Sequence, residues 1–148
     1  YAGNKSNPTP VTFTFNHKLA QIKFKLNNCL IGDTLVTDDV TIIANGPSSA
    51  TMSLTSGNLT EPTGTRSFEL PTNLTFNNLS KDTSSPTEID GELLLFPNSA
   101  YSFSLKVGNN YYAVTFNGTT TTSWEASLIY TLTISINSLD KPLTDAPI

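Results

Sequence analysis

The feature that most constrains this chain is a two-residue hydrophobic period that returns in short, separated runs. In Tyr101-Ser-Phe-Ser-Leu-Lys-Val107 every second side chain is apolar, and on a pleated strand alternate side chains share a face. The same period marks Val11–Phe15, with Val11, Phe13 and Phe15 on one face. It marks Ala20–Leu26, where Ala20, Ile22, Phe24 and Leu26 oppose Gln21, Lys23 and Lys25. It returns in Tyr130–Ile136 through Tyr130, Leu132, Ile134 and Ile136. Leu19, Ile22 and Leu26 also fit a helical spacing, but the strict alternation with lysine favours a strand. The inward set is odd-numbered before His17 and even-numbered after it, so a bulge or corner is expected between Phe15 and Ala20.

Shorter runs fill the middle, each bounded by turn residues. They are Val40–Ala44 before Asn45-Gly46-Pro47, Thr51–Leu54, Arg66–Leu70 stopped at Pro71, Leu74–Phe76, and Glu92–Phe96 before Pro97. Gly108-Asn109-Asn110 between Val107 and the Tyr111–Phe116 run reads as a hairpin. No stretch carries a helical apolar stripe beyond two turns, and no repeat of fixed period is present. The expectation is an all-β, antiparallel, Greek-key-like β-sandwich of about seven to nine short strands. Residues 1–10 and 139–148 read as linkers, the second as a tail or interdomain linker, around a domain at 11–138.

Composition narrows the class. The 148 residues include 23 Thr, 16 Ser and 15 Asn, more than a third of the chain, while charged residues are only 14%. Hydroxyls and amides, not ions, keep such a surface wet. Eight basic against twelve acidic residues leave no basic footprint for nucleic acid. No apolar window is long enough to span a bilayer as a helix. The single Cys29 can form no internal disulfide and reads as a structural thiol. Five Asn-x-Ser/Thr sequons (Asn4, Asn58, Asn73, Asn78, Asn117) are expected by chance in this composition.

Catalysis needs titratable groups that converge, and few are available. The only histidine, His17, stands at the phase shift and reads as a corner residue. Glu88, Asp90 and Glu92 are spaced by two and on a strand would share a face, yet the run reads as solvated. Asp33, Asp38 and Asp39 flank a loop with oxygen ligands of the kind Ca²⁺ takes, without EF-hand spacing; a solvated acidic turn is the plainer reading. Neither cofactor nor metal is expected. Tyr111, Tyr112 and Trp124 are the aromatics that could stack on sugar rings, although a lone Trp also commonly closes one end of a core.

Two segments together are more specific. Val11–Leu26, with Phe15, His17, Leu19 and Ala20 followed by Ile22, Phe24 and Leu26, resembles the opening strand of fimbrillin-family proteins. Trp124–Ile136 resembles that family's closing strand, with Ser127 where glycine is usual; Leu93–Pro97 resembles a middle run, with Asn98 in place of glutamine. The resemblance implies one of the family's two usual sandwich domains. It also implies a non-enzymatic fimbrial subunit or adhesin of the cell surface of Gram-negative anaerobes, partnered by other fimbrial subunits or a surface receptor. The only arginine, Arg66, lies mid-domain and is a poor site for maturation cleavage. Strand addition at a sheet edge is the implied mode of assembly, with Val11, Phe13 and Phe15 or Tyr130, Leu132 and Ile134 as candidate edges. A glycan-binding module and a trimeric viral fibre domain are the rival readings.

Overall fold

The computed structural model describes residues 16–31, 36–114, 116, 121–122, 124–140 and 142–143. The first alternating run, Val11–Phe15, and with it the expected phase shift, lies outside the described residues, as does Asp33. The described chain forms nine strands: β1 (Ala20–Asn28), β2 (Asp39–Gly46), β3 (Arg66–Thr75), β4 (Thr87–Glu88), β5 (Leu93–Leu95), β6 (Tyr101–Val107), β7 (Asn110–Val114), β8 (Thr121–Thr122) and β9 (Ile129–Ile136). A 3₁₀ turn, Phe76–Asn78, follows β3.

The strands make two sheets. In sheet A, β1 is central: β9 runs along one side, while β5 and β4 share the other. In sheet B the order is β3-β2-β6-β7, with β8 also against β6. Ala20, Ile22, Phe24 and Leu26 of β1 face Val40, Ile42 and Ala44 of β2 and Phe103, Leu105 and Val107 of β6 across one continuous apolar core. The alternation predicted the β1 and β6 sets, while the faces of β2 emerge only in the structure; the all-β sandwich follows from them.

Several boundaries differ from the sequence expectation. Pro71 does not end the third run: β3 continues through it to Thr75, absorbing Leu74. Proline is tolerated because β3 lies at the end of its sheet, and the register slips by a bulge opposite Asp39–Thr41. Asn73 takes φ 56° in that bulge, and the buried Thr72 hydroxyl donates to Val40 O at 2.8 Å. A side chain thus supplies a bond that the irregular ladder does not. Thr51–Leu54 is not a strand; it contributes one isolated bridge, Met52 to Leu59, within a polar excursion between β2 and β3.

The second difference is one of direction. β1 and β9 pair in parallel over eight registered positions, Gln21 with Ile129 through Asn28 with Ile136. All other strand pairs are antiparallel. Alternation gives the face each residue takes, but not which strand it neighbours or in which direction.

Local chemistry fixes the remaining corners. The β6–β7 hairpin closes through Gly108 at φ 60°, a value that costs glycine nothing. Gly46 is required for a different reason: a Cβ there would lie 2.4 Å from the Tyr101 ring. Tyr101 is fully buried, donates its hydroxyl to Pro47 O at 2.9 Å and accepts from Phe96 N at 3.2 Å. Burial pushes its pKa above the usual tyrosine value.

Candidate functional site

Sheet edges are where a β-sandwich can make main-chain bonds to a partner, so β9 is the first place to look. Gln21 N donates to Leu128 O at 3.0 Å and Cys29 N to Ile136 O at 2.9 Å. In a parallel ladder this assigns the even-numbered residues of β9 to β1, and it aims the backbone N–H and C=O of Ile129, Thr131, Thr133 and Ser135 outward. Among the described residues β9 pairs only with β1. Thr131, Thr133 and Ser135 are exposed and uncharged, and Ile129 is 64% exposed. The candidate edge Tyr130, Leu132, Ile134 is therefore an outer strand among the described residues, whereas Val11, Phe13 and Phe15 lie outside them.

The inward side chains of the same strand border an opening between the sheets. Ile134 and Ile136 face Tyr112 and Val114 of β7, with Leu105 and Phe116 beneath, around a recess of about 230 Å³. The β7 side of this opening is partly used: Leu143 N donates to Tyr111 O at 2.7 Å. Among the described residues, an extended segment laid along β9 would find unpaired backbone groups at the edge and, beside it, a recess lined by apolar and polar side chains.

The aromatic candidates separate. Trp124 is only 3% exposed, so its ring is a core element and presents no open face for a sugar. Its ring meets Tyr130 edge-on at 4.9 Å between centroids and Phe103 at 6.1 Å, the packing aromatic quadrupoles favour. Among the described residues its Nε1 has no hydrogen-bond partner. Tyr112 is half-buried and lines the recess beside β9. Tyr111 faces the other way, half-buried on the outer surface of sheet B, with Lys106 Nζ 5.9 Å from its ring centroid.

Acidic candidates also diverge. Glu88, Asp90 and Glu92 do line one recess, together with Lys23, Lys25 and Thr131. Glu88 is engaged by Lys25 at 2.7 Å, and the Lys25 hydrogen bond holds its carboxyl below the usual glutamate value. Glu92 accepts from Gln21 Nε2. The buried Ile89 between Glu88 and Asp90 donates its N–H to Phe24 O, pinning the segment to β1. Asp38 and Asp39 are exposed at the start of β2. Among the described residues no group of three His, Cys, Asp or Glu side chains is placed to hold a metal ion.

His17 is exposed, and its carbonyl accepts the Ser127 hydroxyl. Ser127 itself has φ 65°. The resemblance places glycine at this position, and the left-handed backbone supplies the reason. Cys29 is a free, half-buried thiol. Among the described residues no helix is long and apolar enough to cross a membrane. The β9 edge and its recess are the feature that sequence reasoning reached only in part. Alternation marked the strand, but no local signal said that its outer side lacks a described neighbour.

No curated protein and no solved structure matches the chain. A family model described as fimbrillin-like matches residues 2–148. That match supports a role as fimbrial subunit or adhesin, an association with other fimbrial subunits and a cell-surface location. The chain belongs to the fimbrillin-like family.

Proposed function

We propose that the chain is a non-enzymatic surface subunit that assembles by accepting an extended segment of a neighbouring subunit along β9. The observation that carries this reading is the outward-facing backbone row of Ile129, Thr131, Thr133 and Ser135 beside a recess that Ile134, Ile136, Tyr112 and Val114 line together with Asn137 and Ser138. Such an edge offers main-chain bonding for affinity and one pocket row for register. Charged or bulged edges deter this addition, and the outward row of β9 carries neither device.

The test is an SDS gel of native surface material, run unheated and boiled and probed for this chain. Strand-complemented subunits separate slowly because the ladder and its pockets open together. A ladder of multimers that collapses on boiling is the expected result. A single monomer band in both lanes would sink polymerisation through this edge and leave a single-copy adhesin.

A further inference from the structure

We propose that the end of the sandwich where β1 and β9 begin pairs with the same end of a second copy of this chain, in a two-fold contact separate from strand addition. Leu94 of β5 and Ile129 of β9 are both exposed and both registered against Gln21 of β1. The three side chains therefore cross the outer face of sheet A in one row. With Leu19 and the exposed Leu128, Leu94 and Ile129 wall an open recess of about 510 Å³. Single apolar side chains on a surface are ordinary, whereas a contiguous cluster around a recess marks a contact surface.

A knob stands beside this hole. Residues 51–60 form a small hairpin in which Thr60 N donates to Thr51 O at 2.8 Å, Ser53 N to Asn58 O at 2.9 Å and Gly57 N to Ser53 O at 2.7 Å. Its tip carries Leu54, 95% exposed. A Cβ on Gly57 of the same tip would lie 3.9 Å from Lys18 Cε, and Lys18 lines the recess. Knob and hole thus share one surface. The backbone bonds already fix the tip, so little remains to be ordered when Leu54 is buried by a partner.

The identity of the partner follows from that self-complementarity. A two-fold contact sets residue i against j and j against i, so one surface must carry both halves of each interaction. Leu54 of each copy fits the apolar recess of the other. Lys18 and Glu92 give the rim one cation and one carboxylate, which the same axis brings into opposition. Gln21 Nε2 donates to Glu92 and holds that carboxylate at the rim. An unrelated partner would require only one half of each pair. The contact uses the Ile129 side chain and leaves the outward backbone row at Thr131, Thr133 and Ser135 accessible.

The test is sedimentation velocity of the intact chain from micromolar to millimolar concentration. The expected result is a reversible monomer–dimer equilibrium that SDS dissociates without heating. Leu54→Asp should raise the dissociation constant tenfold or more, and its exposure keeps the fold secure. Ile31→Asp, an equally exposed apolar position beyond the other end of β1, should leave pairing unchanged. Lys18→Glu and Glu92→Lys should each weaken pairing, and the two together should restore it. In a Cys29→Ser background, a Leu54→Cys chain mixed with an Ile129→Cys chain should form an interchain disulfide under mild oxidation. The proposal is overturned if the parent stays monomeric throughout, if Leu54→Asp pairs as the parent does, or if the double charge exchange restores nothing. It is also overturned if Leu54→Cys and Ile129→Cys placed in one dilute chain link internally, which would make the hairpin a lid on its own recess. Strand addition at β9 is read separately, by multimers that resist SDS until boiled, so either interface can fail without the other.

Discussion

Among the described residues β3 and β9 are outer strands of their sheets, of similar length and opposite character. β3 carries Arg66 and Glu69 exposed, a proline in mid-strand, and a bulge with Asn73 in a left-handed conformation. Each of these features blocks a neighbour from adding in register. β9 runs eight residues against β1 without a register shift, and its outward side chains are Ile129, Thr131, Thr133 and Ser135. One edge is defended and the other is not. The difference teaches that low overall charge is not the relevant quantity; what matters is where the few charges and breakers fall.

The largest expected effect breaks the comparison by giving β9 the defence of β3. Thr133→Pro removes an outward N–H that β1 does not use, so the monomer keeps its β1–β9 ladder while the incoming segment loses its centre. SDS-resistant multimers should disappear, with the far-UV circular dichroism of the monomer retained. Should proline disturb the strand itself, Thr131→Lys with Thr133→Lys places charge on the same row and should also abolish multimers. Multimers that survive both changes would move the assembly interface away from β9.

Ile134→Ala sharpens the comparison from the inner side. Ile134 is 6% exposed and belongs to the core as well as to the recess. Its truncation should cost about 2–5 kcal/mol in chemical denaturation, and it should weaken any ladder that does form. A multimer yield that falls no further than the stability loss accounts for would mean that the recess plays no part in register.

Thr72→Val tests the defended edge. The hydroxyl bonds Val40 O, and Leu74 N bonds the hydroxyl. Replacing it with a methyl leaves both groups without that partner, at about 1–3 kcal/mol. Amide exchange should quicken at Val40 to Ile42 and in β3 before it does in β9. Uniform quickening across both sheets would show that the bulge is no separate unit.

How much of this could be read beforehand depends on which physical quantity each signal reports. Alternation reports burial, so the inward rows of β1, β6 and β9 were legible, and Gly108 with Asn109 located the hairpin. Partner and direction depend on long-range packing, so the parallel β1–β9 pair was not legible. Nor was the absence of a described neighbour beyond β9. Pro71 misled because its local signal is a stop, and only the position of β3 at the end of its sheet cancels it. Trp124 was ambiguous because ring chemistry suits a sugar platform and a core plug equally; its 3% exposure decides for the plug. The outer face of sheet B hid a further case. Ile43, Asn45 and Ser104 lie in the outward register, yet all three are buried, which alternation has no means to show.

The smallest effect concerns a third edge, where β4 meets β1. Thr87 and Glu88 are its only residues, and the Lys25–Glu88 pair marks it with charge. Lys25 lowers the Glu88 carboxyl pKa, first through the hydrogen bond and then through its charge. A carboxylate whose folded value is depressed adds stability above its unfolded value and loses it as pH falls through the folded one. Glu88 is fully exposed, and solvent screens the pair, so the contribution is small. NMR titration should place the Glu88 midpoint below that of an ordinary glutamate, and Lys25→Met should return it upward. The stability of the parent should then exceed that of the variant slightly at neutral pH, with the gap closing as the solution is acidified through the depressed midpoint. High salt should shrink the same gap. An unchanged Glu88 midpoint in Lys25→Met would show that the pair does not persist in solution. In that case only the shortness of β4 would defend that side of β1.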